Sequence, residues 1–311
     1  MTDPLTAEVL FGINTIYTVL ANGARLQCRI KGKKLREEER SYNPIAPGDL
    51  VEVTPDALSP SEGMISEVLQ RRTRLARWNK KGRAPQVIAA NADIAVCVTS
   101  PSSPPFRPRF IDRLIVAAES GGLTPMVVLN KADLPCPDEV RERLLHYKSM
   151  GYGVHLCSAR TGQGVARLAA LLAGMTAAFV GQSGVGKSSL LNTLSPGLDL
   201  RVGGLSSKHD RGNHTTNFSS LLLLEGGLRV IDTPGVRELE LSDILPEEVG
   251  FHFRDFTPYM RQCGYQPCLH ADEPMCAVAA AVERGEIHPD RYQSYLRILQ
   301  ELRTSRKAEH G

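Results

Sequence analysis

The feature that most narrows the folds open to this chain is a loop past its midpoint. Gly181-Gln182-Ser183-Gly184-Val185-Gly186-Lys187-Ser188 fits the pattern G-x-x-x-x-G-K-S. With suitable flanks, that pattern is the turn between a buried strand and a helix. Residues 177–180 supply an apolar strand (Ala-Ala-Phe-Val), and residues 189–194 a helix (Ser-Leu-Leu-Asn-Thr-Leu). Gly181 and Gly186 let the backbone curl until its N–H groups converge at a helix N-terminus, where an anion such as phosphate is favoured. In that arrangement Lys187 reaches the β- and γ-phosphates and Ser188 ligates Mg²⁺.

Two motifs lie upstream of the loop. Residues 126–129 (Met-Val-Val-Leu) read as a strand ending in Asn130-Lys131-Ala132-Asp133, and Ser158-Ala159-Arg160 follows. A carboxylate at Asp133 accepts from both N1–H and the 2-amino group of guanine. Adenine offers neither, so such a site discriminates strongly. Asn130 is expected to brace the loop and the purine edge, the Lys131 stem to cover the ring, and the Ala159 N–H to meet O6. Two more motifs lie downstream: Thr215-Thr216 and, after a strand at 228–231, Asp232-Thr233-Pro234-Gly235. Asp232 is expected to hold Mg²⁺ through water and the Gly235 N–H to sense the γ-phosphate. Thr215 or Thr216 completes the metal shell, and the choice between them stays open. The implied cofactors are GTP or GDP with Mg²⁺.

In most GTPases the phosphate loop opens the domain and the base-reading motif comes later. Here the order is rotated, so the domain is circularly permuted and its switch segments lead straight into the C-terminal part. Termini that lie close together tolerate such rejoining. The residue after the last motif is Val236, where many GTPases carry a glutamine that orients the attacking water. Valine neither donates nor accepts, so unassisted hydrolysis is expected to be slow. The missing group would come from His214 or from a partner, and a solvated loop histidine is the alternative reading of His214. The expected catalytic set is Lys187, His214, Thr215, Thr216 and Gly235.

The flanks read differently. Up to about residue 82, short β-rich runs at 14–20, 24–30, 48–53 and 63–69 alternate with prolines, and Asn22-Gly23 marks a tight hairpin. A small barrel hides such edges, with an OB-fold favoured over an SH3-like one. Between Leu69 and Arg83 stand Arg71, Arg72, Arg74, Arg77, Lys80, Lys81 and Arg83 with no acid, beside Trp78. Such a block suits a phosphate backbone, a solvated linker being the alternative. Residues 83–243 alternate strands (94–99, 125–129, 154–157, 177–180) with helices (109–120, 138–150, 165–172), the pattern of a parallel sheet covered on both faces.

From residue 244 the signals turn helical and irregular. Cys263, Cys268, His270 and Cys276 gather three thiols and an imidazole, the donor set of a closed structural zinc site. His252 and His288 are possible substitutes for His270. Tyr292, Tyr295, Leu296, Leu299 and Leu302 form one apolar helical stripe, read as core packing. The expected fold class is therefore multidomain α/β: an OB-like barrel (1–82), a circularly permuted P-loop GTPase domain (83–243) and a mostly helical zinc-binding domain (244–311).

Totals exclude several alternatives. The chain has 311 residues, 42% hydrophobic, with net charge +3, which suits two or three soluble domains. No apolar run approaches the roughly 18 residues of a membrane span. The first residues show no signal-peptide pattern, and seven cysteines without secretory features suit a reducing cytoplasm.

With those residues in place, the chain resembles nearly end to end the RsgA (YjeQ) family of circularly permuted GTPases. The likeness is carried by the barrel, the Gln86-Val87-Ile88-Ala89-Ala90-Asn91 entry, the rotated motifs, a His214-Thr215-Thr216 switch and the Cys₃His pattern. The resemblance implies action in maturation of the bacterial small ribosomal subunit, an OB-type barrel, a zinc domain that contacts ribosomal RNA, and hydrolysis stimulated by the subunit. It implies GTP binding by Asn130, Lys131, Ala132, Asp133 and the run from Gly181 to Ser189, and zinc binding by Cys263, Cys268, His270 and Cys276. A monomer without membrane contact is expected. Asn217, where a third threonine commonly stands, departs from the pattern. Two other classes compete: an RNA-binding module whose nucleotide only stabilises the fold, and an ATPase on the same phosphate loop.

Overall fold

The computed structural model describes residues 3–31, 41–59, 61–198, 200, 218–236 and 239–309. The barrel starts with a strand that composition alone does not mark, β1 (Leu5–Ile13), followed by β2 (Ile16–Ala21), β3 (Ala24–Ile30), β4 (Leu50–Pro55) and β5 (Glu62–Val68). The hairpin read at Asn22-Gly23 joins β2 to β3, and both turn residues take positive φ (48° and 81°), as a two-residue type I′ turn demands. The closed order is β1-β2-β3-β5-β4. β5 runs parallel to β3 and antiparallel to β4, the Greek-key return of a five-stranded OB barrel. Alternate residues face inward, so Val9, Val19, Leu26, Cys28, Val51, Val53 and Ile65 form a separate small core.

Next comes an antiparallel hairpin, β6 (Arg74–Asn79) with β7 (Ala84–Ala90). The boundary expected at residue 82 falls in the turn between these strands. The alternating domain follows: β8 (Ile94–Thr99), α1 (Pro108–Ser120), β9 (Thr124–Leu129), α2 (Asp138–Ser149), β10 (Gly153–Leu156), α3 (Val165–Leu172), β11 (Thr176–Gly181), α4 (Lys187–Leu194), β12 (Ser220–Leu223) and β13 (Arg229–Asp232). The sheet order is β10-β9-β8-β11-β13-β12. All neighbours are parallel except β12, which caps one edge antiparallel to β13. β8 is buried at every position, which explains its unbroken apolar run. From β8 the chain winds outward to β9 and β10. It then returns to β11 on the other side of β8 and continues to β13. Strand order therefore reverses between β8 and β11, and a ligand crevice belongs at the carboxyl ends of these two strands.

The barrel docks on the β12–β13 edge. Glu8 of β1 pairs with Arg229 of β13, and the Phe11 and Phe218 rings lie 5.8 Å apart. Gly48 sits where the barrel touches β7: its φ is +88°, and a Cβ there would lie 2.1 Å from the Ala90 carbonyl oxygen, so only glycine fits.

The C-terminal part contains α5 (Thr257–Met260), α6 (Ala277–Glu283) and α7 (Pro289–Glu309). Phe253, Phe256 and Tyr295 pack ring on ring at 4.9–5.3 Å, and Tyr295 and Leu299 of the apolar stripe are buried, as core packing requires. Beneath them Arg291, fully buried, ties α7 to α1 through Asp112 at 2.7 Å and to Asp255 at 2.9 Å. Among the described residues, no helix is long and apolar enough to cross a membrane.

Candidate nucleotide site and metal centre

At the carboxyl end of β11, Gly181 is held close under β8: a Cβ there would meet the Val98 carbonyl oxygen at 2.5 Å. The phosphate loop then curls through two left-handed glycines, Gly184 (φ +85°) and Gly186 (φ +87°), into α4. Lys187 and Ser188 open that helix. The expected loop–helix geometry is therefore present, and its positive-φ positions fall on glycines, which adopt them without strain.

Residues from before the permutation joint brace this loop. Asn130, 1% exposed, donates from Nδ2 to the carbonyl oxygens of Val185 (2.9 Å) and Gly186 (3.3 Å). Lys131, at positive φ (61°), donates from Nζ to the carbonyls of Gly184 (2.7 Å) and Ser103. A Cβ on Gly186 would lie 2.5 Å from Asn130 Nδ2. Thr193 of α4 donates to the Ala159 carbonyl at 3.1 Å, which fixes the Ser-Ala loop to the helix that follows the 181–186 loop.

These segments enclose a single cleft of about 380 Å³ lined by Asn130, Lys131, Asp133, Leu134, Ala159, Arg160, Gly186 and Ser189. Asp133 stands at its edge, its carboxylate accepting from the Ser158 hydroxyl and paired with Arg160. The Ser158 bond first, then a bond from its own backbone N–H and the Arg160 charge, hold this carboxyl below its ordinary range, so it is an acceptor at neutral pH. One expectation changes in detail. The Ala159 N–H, assigned to the purine O6, donates to Asn130 Oδ1 at 3.0 Å. Arg160, directly after Ser158-Ala159 in the chain, joins the site as a residue the motifs alone do not assign.

At the other end of the loop, Asp232 closes β13 and its carboxylate pairs with Lys187. Burial pushes the Asp232 carboxyl up, against the opposing pull of the Lys187 ammonium. Its second oxygen, Oδ2, is buried with no hydrogen-bond partner, and an orphaned carboxylate oxygen is costly unless a cation or donor meets it. Asp232, with the Ser188 hydroxyl next in the chain to its partner Lys187, is an oxygen donor set that fits Mg²⁺. Gly235 approaches the phosphate loop so closely that a Cβ would contact Ser183 at 3.3 Å. Val236 donates its N–H to the Gly181 carbonyl (3.2 Å), and its side chain, 2% exposed, faces the core. His214, Thr215, Thr216 and Asn217 lie outside the described residues.

In the C-terminal part the ligand atoms of Cys263, Cys268, His270 and Cys276 all lie within 4.8 Å of one another. His270 Nδ1 is 3.5 Å from the Cys263 sulfur and 3.6 Å from the Cys276 sulfur. With zinc–sulfur bonds near 2.3 Å and zinc–nitrogen bonds near 2.0–2.1 Å, a tetrahedron has S···N edges of about 3.6 Å. The spacing thus fits the metal. Glu273 shapes the knuckle by accepting from the N–H groups of Leu269 (3.0 Å) and Ala271 (2.9 Å), and Tyr292 donates to the His270 carbonyl at 2.8 Å. His252 and His288 are not in this group; the His288 ring packs against His146 at 5.5 Å.

The basic stretch largely serves the fold. Arg71 is nearly buried against Asp49 (2.7 and 2.9 Å). Arg72 pairs with Asp93, Arg74 with Asp243 and Lys80 with Glu240, while Arg77 donates to Gln86. Trp78 donates its backbone N–H to the Glu240 carbonyl (2.9 Å). The stretch therefore clamps the segment that leaves the Asp232–Val236 switch. Among the described residues only the side chains of Lys81 and Arg83, of the seven, form no ion pair or hydrogen bond; the Lys81 backbone N–H donates to Asn79 Oδ1 at 3.0 Å.

Residues 68–242 match the family described as RsgA GTPase. The small ribosomal subunit biogenesis GTPase RsgA of Chlorobaculum parvum is 40% identical, over 97% of this chain and 99% of its own. That of Chlorobaculum tepidum is 42% identical over 90% and 92%, and that of Moorella thermoacetica 41% identical over 92% and 93%. Among solved structures the chain is similar to YjeQ from Thermotoga maritima, with TM-score 0.74 and 34% identity over 96% of this chain and 99% of that one. It is also similar to YloQ, described as a circularly permuted GTPase, with TM-score 0.69 and 30% identity over 97% and 96%.

Proposed function

The chain belongs to the RsgA GTPase family, and from that premise we propose that it binds the maturing small ribosomal subunit and uses GTP hydrolysis to time a late assembly step and its own release. The observation that carries this is one cleft built from both sides of the permutation joint. Asn130 and Lys131 bind the carbonyls of the very loop whose N–H groups turn toward the phosphates. A base reader and a phosphate cradle fixed to each other select a complete guanine nucleotide.

In this reading Asp133 takes the guanine edge while Lys131, Ala132, Ser158 and Ala159 shape its pocket. The backbone from Gly181 to Ser189 surrounds the phosphates. Lys187 leaves Asp232 for the phosphates, and Ser188 and Asp232 hold Mg²⁺ with Thr215 or Thr216. Bound there, Mg²⁺ would supply positive charge against the phosphates. Gly235, against Ser183, reads whether a γ-phosphate is present. Val236 points into the core, so water must be oriented from elsewhere, and His214 is the assigned residue. Hydrolysis is then slow alone and fast on the subunit.

The barrel and the metal-bearing part clamp ribosomal RNA on either side of the GTPase domain, with one Zn²⁺ stapling the C-terminal knuckle. We draw the barrel's end at residue 68, where β5 stops and the family match begins. The chain acts as a monomer in the cytoplasm. A nucleotide drives release only through a difference in affinity between two states, so a non-hydrolysable GTP analogue must hold the chain on the subunit more tightly than GDP does. The decisive test is GTP turnover with and without purified small subunits, alongside subunit affinity in both nucleotide states. Unstimulated turnover together with equal affinities would end this proposal.

A further inference from the structure

Asp133 makes two polar contacts at the mouth of the base cleft, and they differ in kind. The Ser158 hydroxyl comes from the half-enclosed loop that shapes the pocket. The other donor is the Arg160 guanidinium, on a side chain 73% exposed. Arg160 and Asp133 both line the cleft that also contains Asn130, Ala159 and Ser189, so this ion pair is part of the wall the base must meet. A guanidinium is a fork of N–H donors on one planar carbon, suited to a carboxylate. The N1–H and 2-amino group of guanine form the same array around C2. The side chain next to the base reader therefore carries the chemistry of the base itself.

We propose that Arg160 is an internal competitor for guanine: it occupies the Asp133 carboxylate in the manner of the guanine edge and must be displaced for the nucleotide to seat. The inference rests on the reading of Asp133 as the guanine acceptor. Its consequence is a lowered affinity and a faster release of nucleotide, because the departing base has a replacement on the residue that directly follows the Ser-Ala turn. The effect is modest by nature. Exposed ion pairs are weak, so removing the competitor is expected to tighten GDP binding by up to about fivefold. Screening weakens an exposed pair, so the gain should shrink as salt is raised.

The test measures the affinity and dissociation rate of a fluorescent GDP analogue for the full chain, Arg160→Ala and Arg160→Lys, at low and high salt. Arg160 is exposed, so neither variant threatens the fold. Support is tighter binding and slower release in Arg160→Ala, largest at low salt, with Arg160→Lys between it and the native chain because an ammonium lacks the fork. An unchanged or weaker affinity in Arg160→Ala overturns the inference, and weakening would mean that Arg160 contacts the bound nucleotide. Asp133→Asn separates the two layers. If that variant trades guanine for xanthine nucleotide while Arg160→Ala behaves as the native chain, the competitor alone is wrong. If Asp133→Asn keeps its guanine preference, the base-site reading falls and the competitor falls with it.

Discussion

Replacing Arg291 by methionine tests how the C-terminal part is fixed to the GTPase domain. The Arg291 side chain is fully buried and spans two carboxylates: Nη1 donates to Asp112 at 2.7 Å, and Nε to both oxygens of Asp255 at 2.9 and 3.0 Å. Its guanidinium also lies 4.5 Å from the centre of the Phe253 ring. Methionine keeps most of the stem and removes the charge. Asp112 would retain Arg143 (2.9 Å) and the Tyr147 hydroxyl (2.7 Å). Asp255, 5% exposed, forms no other ion pair among the described residues. Stranding one buried charge costs about 3–5 kcal/mol, on the order of 10 °C in melting midpoint for a cooperative unit of this size. Adding Asp255→Asn removes the stranded charge, so the double variant should recover at least half of the loss. Thermal and urea unfolding would be followed by circular dichroism and by fluorescence of Trp78, the single tryptophan. A loss below about 1 kcal/mol, or an equal loss in the double variant, would refute the view that this network fastens the two parts.

Three further outcomes are expected. Asp133 has a carboxyl held below its ordinary value, chiefly by Ser158; its ionised form contributes above the unfolded pKa and is lost only as pH falls through the lower folded one. GDP affinity should therefore show no carboxylate loss between pH 7 and about 5, and a midpoint near 6 would contradict the geometry. Cys276→Ser should release about one zinc per chain by elemental analysis and abolish cooperative melting of the C-terminal part, whereas a metal content equal to the native chain's would rule out a Cys₃His centre. Val236→Gln should not accelerate hydrolysis, because the side chain is buried. It should instead cost about 1–3 kcal/mol of stability for an amide without partners, and a faster, equally stable enzyme would show that residue 236 faces the nucleotide.

What could be read from the chain and what could not divide along the range of the interactions involved. The curl of the 181–188 loop on its glycines, the Asn22-Gly23 turn and the Cys₃His cluster were legible because each is built within a short stretch of chain. Strands β8 and β11 and helix α3 declared themselves through apolar spacing, since the burial that selects those residues repeats along the element. β1 escaped notice because its pattern of buried and exposed residues breaks at a bulge between Val9 and Phe11. The basic stretch hid its intramolecular partners for a different cause. Nothing local tells Arg71 that Asp49 awaits it inside the barrel joint, or Arg74 that Asp243 lies beyond the switch. Likewise only the folded chain brings Arg291 to Asp112 and Arg229 to Glu8. Charge written in a sequence is a quantity without direction. Whether it meets RNA, a carboxylate or water is settled by which distant segment the fold lays beside it, because Coulomb attraction acts through space over a few ångströms and takes no account of separation along the chain.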